Sequence, residues 1–166
     1  MKNKGFTLVE LMVTIVIIGL VSFLGFPALM RIVRDNVKKE MEYYGESMIG
    51  AAKLYMQKEG RDIMNSGALK YDGDTFDISL DLLEQEKYIE PFKSSKAYVT
   101  AINLSKDGEE ENALVVVTLV DADTNTYSYK YQFFLHDKVR KKVYIKRYNQ
   151  DDILEVDDTE YFSGDW

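Results

Sequence analysis

The feature that most constrains this chain is an apolar run from Leu11 to Met30, in which Thr14 and Ser22 carry the only polar side chains. A helix of about 20 such residues can cross the hydrocarbon core of a bilayer. Lys2 and Lys4 precede the run, as they would in a secretory signal or a membrane anchor. An ordinary cleaved signal has a shorter apolar stretch followed by a small-x-small site, which this run lacks. We therefore expect a retained single-pass helix. Arg31 and Arg34 follow the run, so basic residues flank both of its ends and the positive-inside rule alone leaves its orientation open.

The part of the chain that follows this run alternates polar and apolar residues and is acidic. From Asp35 onward it holds 17 Lys and Arg against 27 Asp and Glu, a formal charge of −10. This charge disfavours binding to a phosphate backbone, so we predict no specific nucleic-acid partner. The sequence contains no cysteine, which excludes disulfides, thiolate nucleophiles and Cys-based zinc sites.

Glu10 is the anomaly of the N-terminal segment, because an ionised carboxylate in a membrane helix is costly without a partner. The cost is roughly 2.5 to 3.5 kcal/mol at the bilayer centre and smaller near the interface. One interpretation places Glu10 at the headgroup level, solvated and favourable to the helix N-terminus. The other requires a cation supplied by a partner.

Residues Lys4 to Val13 resemble the processing and methylation site of type IV prepilins and pseudopilins. The likeness combines a short basic leader, Gly before Phe, Thr-Leu-Val-Glu at fixed spacing, an apolar helix and a proline near its far end. It implies that the N-terminus is cytoplasmic, where a prepilin peptidase cleaves between Gly5 and Phe6 and methylates the new Phe6 amine. In that family the acid at the position of Glu10 pairs with the N-terminal amine of a neighbouring subunit. The resemblance thus assigns the assembly register to Glu10 and Phe6.

Two glycines and a proline in the apolar run carry a second expectation. Gly19 and Gly25 weaken a helix, and Pro27 removes the amide that would bond to the carbonyl of Phe23. We predict a kink or local melting around Gly19, Gly25 and Pro27. In filaments of the resembling family the helix is partly unwound in this region.

The sequence predicts an α+β fold in which a long N-terminal helix packs on a roughly four-stranded antiparallel β-meander. Past Arg31 apolar residues recur every three or four positions, and Gly60 is the expected helix end. Ser79 or Asp77 is expected to cap a short helix. Turn-forming connections separate four strand-like runs, Ala97–Leu104, Ala113–Val120, Thr126–Leu135 and Val139–Tyr148.

We divide the chain accordingly into six segments. They are a cleaved leader (residues 1–5), a transmembrane and filament-core helix (6–30), its amphipathic continuation (31–60), a linking region with a short helix (61–96), the antiparallel sheet (97–148) and an acidic C-terminal tail (149–166). Without cysteine, any closure of this tail must be noncovalent.

Aromatic side chains alternate along the third predicted strand, at Tyr127, Tyr129, Tyr131 and Phe133. Packing against the helix is the favoured interpretation of this face, and a sugar- or base-stacking surface is the alternative. Basic residues between positions 138 and 147 are interpreted as solvated charges of an edge strand.

Few residues suggest metal binding or catalysis. Asp121–Asn125 copies the start of a calcium loop, but Thr126 replaces its glycine. We therefore favour a hairpin turn and predict no metal site, with a calcium site as the alternative interpretation of this loop. His136, the only histidine, is expected in a turn without a nucleophile motif around it. We therefore predict no cofactor and no enzymatic activity.

Two functional hypotheses follow. The first is a structural subunit of a type IV pilus-like filament, matured by prepilin peptidase and anchored in membrane lipid until an inner-membrane assembly platform adds it to identical or homologous subunits. The resulting cell-surface filament would serve adhesion, twitching motility, biofilm formation, DNA uptake or secretion, and minor pilins and pseudopilins of type II secretion or competence share the same motif. The second is a monomeric, membrane-anchored extracellular binding module.

Overall fold

The computed structural model describes residues 6–92, 113–123, 126–137 and 140–163. Its elements in chain order are helix α1 (Leu8–Asn65), strand β1 (Thr75–Ser79), helix α2 (Leu80–Gln85), strands β2 (Ala113–Asp123), β3 (Thr126–Asp137), β4 (Lys142–Lys146) and β5 (Leu154–Asp157), and helix α3 (Asp158–Ser163). The chain divides into two compact units, Met1–Val37 and Lys38–Trp166, and α1 contributes residues to both.

The described part of the first unit is the apolar portion of α1. Its large side chains are exposed on every side of the helix, with Phe23 at 79% and Ile18 at 65%. An 18-residue window of α1 near the N-terminus has a mean hydropathy of 2.5, and none of that window is buried. By length and composition α1 can therefore cross a membrane, and a helix that is apolar all round needs lipid or protein around it.

The second unit places the remainder of α1 on a five-stranded sheet in the order β1-β2-β3-β4-β5, with every neighbouring pair antiparallel. This confirms the predicted α+β fold with a long helix on an antiparallel sheet. Strand β2, which lies between β1 and β3, buries Val115 and Val117 completely, as its apolar run predicts. The helix contributes buried apolar side chains from its sheet-facing stripe, namely Met41, Tyr44, Met48, Ala52 and Met56.

The strands depart from the predicted set at both edges of the sheet. The predicted strand Ala97–Leu104 lies outside the described residues. Two strands that the sequence did not suggest, β1 and β5, pair with β2 and β4. The basic residues of β4 were predicted to lie on an edge strand. This prediction is wrong, because β5 pairs with β4 on the side away from β3. Lys142 instead pairs with Asp157 of β5 at 2.5 Å.

The end of α1 also differs from its predicted position. Gly60 is buried inside the helix, where an added Cβ would lie 3.3 Å from Cε of Met56 and 3.7 Å from the hydroxyl of Tyr129. The helix ends instead before Gly67, whose φ of +85° is the left-handed value that a glycine adopts without strain. The Ala68 amide donates to the carbonyl of Ile63 at 3.3 Å, which is the hydrogen bond of a Schellman C-cap.

Two predictions from local sequence patterns are confirmed, the cap of α2 and the hairpin that β2 and β3 form. Ser79 is the N-cap of α2, and its hydroxyl accepts the amide hydrogen of Leu82 at 3.2 Å. The ladder between β2 and β3 runs as far as the pair Asp123 and Thr126, which confirms the predicted hairpin. His136 lies within β3, not in a turn, and its Nε2 is 3.4 Å from Oδ2 of Asp158.

Candidate processing and assembly site

The first turn of α1 is closed by reciprocal hydrogen bonds between Thr7 and Glu10. The backbone amide of Thr7 donates to Oε2 of Glu10 at 2.9 Å, and the Thr7 hydroxyl donates to the same oxygen at 2.8 Å. In return the backbone amide of Glu10 donates to the Thr7 hydroxyl oxygen, with 3.2 Å between nitrogen and oxygen. This arrangement is a capping box, in which an N-cap Thr and an acid three residues later satisfy each other's backbone amides.

The capping box gives the Glu10 carboxylate a partner within its own chain. It also places a negative charge at the helix N-terminus, where the unpaired amides of the first turn favour an anion. Both of these hydrogen bonds to the carboxylate use Oε2. Since an ionised carboxylate has about four acceptor positions over two oxygens, capacity remains for a further donor.

Thr7 is the functional residue that the sequence analysis missed. Its signal was present, since Thr7-Leu8-Val9-Glu10 is the S/T-x-x-E/Q pattern that begins many helices. The likeness to a processing site does not depend on this capping pattern, so the resemblance gives no expectation for the hydrogen bonds of Thr7.

Phe6 lies directly before this capping box, and its ring is 79% exposed. Gly5, the other residue of the predicted cleaved bond, lies outside the described residues. The structure therefore brings together Phe6, Thr7 and Glu10 at the start of α1, with the nitrogen of Phe6 one residue before the capped amide of Thr7. Cleavage before Phe6 would convert that nitrogen into a free amine, one residue before the Thr7 amide that Glu10 accepts.

The three residues around which a kink or local melting is predicted all lie within α1. Gly19, Gly25 and Pro27 fall inside its continuous helical range, and a Cβ added at either glycine would have nothing within 4 Å. Neither glycine is thus needed for close packing within the described chain. The predicted melting at these positions stays a prediction about the assembled state.

Residues 1–26 match the family model of the prokaryotic N-terminal methylation motif. The chain carries the signal motif of type IV pilins and pseudopilins. The matched range contains Phe6, the capping box and most of the exposed apolar helix, which together are features of the membrane-anchored precursor of a methylated pilin. Comparison of the chain with curated proteins and with solved structures gives no match.

Proposed function

We propose that the chain is the structural subunit of a type IV pilus-like filament, matured by cleavage between Gly5 and Phe6 and polymerised through the apolar part of α1. The observation that carries this proposal is the methylation motif, which continues directly into a helix whose apolar side chains are exposed on all sides. Such a helix is stable in lipid, and it is equally stable when helices of neighbouring subunits surround it.

Register in the proposed filament comes from Glu10 and the Phe6 amine of an adjacent subunit. A carboxylate transferred from the membrane surface into an apolar filament core loses its hydration, and a hydrogen-bonded cation compensates for that loss. The capping box holds Glu10 in one orientation while acceptor positions remain for the incoming amine. Addition of a subunit out of register would leave this carboxylate unpaired in a medium of low dielectric constant.

The proposed partners follow from this life cycle. The precursor lies in membrane lipid and is the substrate of a prepilin peptidase. The mature subunit binds an inner-membrane assembly platform and other pilins. The second unit would face the surroundings of the filament and serve adhesion, motility, biofilm formation, DNA uptake or secretion. Within the described residues no group of three or more His, Asp and Glu is placed to hold a metal ion, and we propose a structural, non-catalytic role.

Two measurements test this function. Mass spectrometry of the native protein should find a chain that begins at methylated Phe6, whereas a chain retaining Lys2 and Lys4 would contradict the proposal and favour a monomeric anchored module. Glu10→Ala should insert into the membrane normally but be lost from filaments. Asp62→Ala, which removes an exposed acid elsewhere on α1, is the matched control and should assemble as wild type.

An antibody to the second unit distinguishes the classes that share the motif. Labelling along the whole length of surface filaments identifies a major pilin, and sparse labelling identifies a minor pilin. Surface filaments without label, together with protein retained in the cell envelope, identify a pseudopilin.

A further inference from the structure

A groove of about 340 Å³ lies in the second unit between α1 and β3. The helix contributes one wall and the strand the other. The lining residues are Lys53, Met56 and Gln57 of α1 and Tyr127, Tyr129 and Tyr131 of β3. The volume falls in the usual range of small-ligand sites, roughly 300 to 1,000 Å³. The aromatic face of β3 therefore packs against the helix only in part, because Phe133 is fully buried while Tyr127 remains 46% exposed.

The three tyrosines of β3 that line the groove are positioned by contacts within the chain itself. Residues 127, 129 and 131 point to one side of β3 because alternate residues of a strand share a face. The Tyr129 hydroxyl donates to Sδ of Met64 at 3.2 Å, which fixes the middle ring. Tyr131 is half-buried, and this burial raises the pKa of its phenol to about 12.

The charge of the groove contrasts with that of the chain. Among the described residues that line the groove, Lys53 is the only charged one, whereas the whole chain carries a formal charge of −7. Its ammonium group lies 5.6 Å from the ring centroid of Tyr131, a cation–π distance that keeps the charge at the groove. Gln57 adds an amide that both donates and accepts hydrogen bonds.

We propose that this groove binds an acidic oligosaccharide, with sugar rings stacked on the tyrosines and a sugar carboxylate paired with Lys53. The electron-rich face of an aromatic ring attracts the C–H groups on the face of a pyranose, and the hydroxyl rim of the sugar meets Gln57 and the phenols. The cation selects an acidic sugar over a neutral one. The proposal goes beyond the filament function and does not depend on it.

Two other ligand classes fit these residues less well. Single-stranded nucleic acid also stacks on aromatic rings, but it needs a basic track along its backbone, and this groove offers one lysine on an acidic chain. A proline-rich peptide docks on aromatic grooves without requiring a cation, so it leaves Lys53 without a role.

The test uses the full chain in zwitterionic detergent micelles and calorimetric titration with two probes. Trigalacturonate is the acidic probe, and maltotriose is the neutral one. We expect the acidic probe to bind more tightly and to weaken with added salt. Lys53→Gln should weaken trigalacturonate by about tenfold and leave maltotriose unchanged. Tyr127→Ala should weaken both probes by about fivefold, because it removes a stacking face without touching the charge.

The chain provides a matched control in a second lysine–tyrosine pair. Lys70 lies 5.2 Å from the ring centroid of Tyr71, outside the groove, so Lys70→Gln and Tyr71→Ala should bind both probes as wild type does. Far-ultraviolet circular dichroism would establish that each variant is folded. The proposal is overturned if neither probe binds, if Lys53→Gln leaves trigalacturonate binding unchanged, or if a proline-rich peptide binds and the oligosaccharides do not.

Discussion

Gly45 of α1 and Phe133 of β3 lie in direct contact, with the aromatic ring against the helix backbone. A Cβ atom built on Gly45 would overlap Cε1, Cδ1 and Cζ of the ring. Phe133 is completely buried, so the ring has no exposed side toward which to move. This contact marks where helix and sheet approach each other closely, and it explains a glycine inside a helix, where alanine is otherwise favoured by up to about 1 kcal/mol.

Gly45→Ala should therefore destabilise the second unit even though alanine is the better helix former. Overpacking in a well-packed core costs roughly 1 to 3 kcal/mol. Urea unfolding of the full chain in micelles, followed by near-ultraviolet circular dichroism, measures the change.

Gly50→Ala is the matched control for this prediction, because a Cβ added there meets nothing within 4 Å. We expect it to be neutral or to stabilise by up to about 1 kcal/mol. Combining Gly45→Ala with Phe133→Leu should cost less than the sum of the two single changes, since the smaller side chain leaves room for the methyl group. Equal effects of Gly45→Ala and Gly50→Ala would contradict the packing explanation.

Lys146 of β4 connects the sheet to α1 by ion pairs of 2.7 Å to Glu46 and 2.9 Å to Glu42. The pKa of Lys146 is raised, chiefly by the hydrogen bond to Glu46 and then by the one to Glu42. Its stabilising contribution is therefore complete below the ordinary lysine pKa of about 10.4 and is lost as pH rises through the raised value.

Lys146→Met retains much of the apolar stem and should lower the free energy of unfolding by less than about 1 kcal/mol at neutral pH. The difference between wild type and variant should shrink with added salt and vanish in strong alkali. Unfolding curves recorded at several pH values check both trends, and a difference that grows with pH would have the wrong sign.

Tyr131 gives an alkaline titration signature. Burial, with a smaller contribution from the nearby Tyr129 phenol, raises the pKa of Tyr131 from 10.0 to about 12. Its contribution to stability is thus constant below pH 10 and is lost as pH rises through about 12. During alkaline titration, absorbance at the phenolate band should show a step near pH 12. Tyr131→Phe should remove this step, and Tyr71→Phe should leave it in place.

The capping box predicts a difference between two substitutions of Thr7. Thr7→Ala removes the side-chain cap at a cost of about 1 kcal/mol, whereas Thr7→Ser keeps the hydroxyl. Hydrogen exchange of the Glu10 amide, which points to that hydroxyl oxygen, should accelerate by about fivefold in the alanine variant and stay unchanged in the serine variant. Equal protection in both variants would show that the cap contributes nothing measurable.

Local patterns predicted the elements whose determinants are local. The apolar runs of α1 and β2, the alternation along β3, and the Ser79 cap each depend on residues within a few positions of one another. β1 escaped prediction because its five residues become a strand only by pairing with Val115, Val116 and other residues of β2, almost forty positions further along the chain. β5 likewise depends on β4 for its hydrogen bonds.

The predicted helix end failed for a related reason. Gly60 and Gly67 look alike in sequence, yet Gly60 is a packing position beside Met56 and Tyr129, and only Gly67 has the positive φ that ends a helix. Contacts with distant parts of the chain therefore determine which glycine is a packing position and which one ends the helix. The start of the helix depends on neighbouring residues alone, since Thr7 and Glu10 form reciprocal hydrogen bonds across its first turn.

The C-terminal segment is held to the sheet by strand pairing between β4 and β5, by the ion pair of Lys142 with Asp157, and by the Asp158 amide on the Lys141 carbonyl. None of these links involves a thiol, because the sequence has no cysteine. Folding of this segment therefore requires no oxidant and no disulfide isomerase. The same native state should be reached in a reducing or an oxidising compartment, and high salt should loosen this attachment where dithiothreitol has no effect.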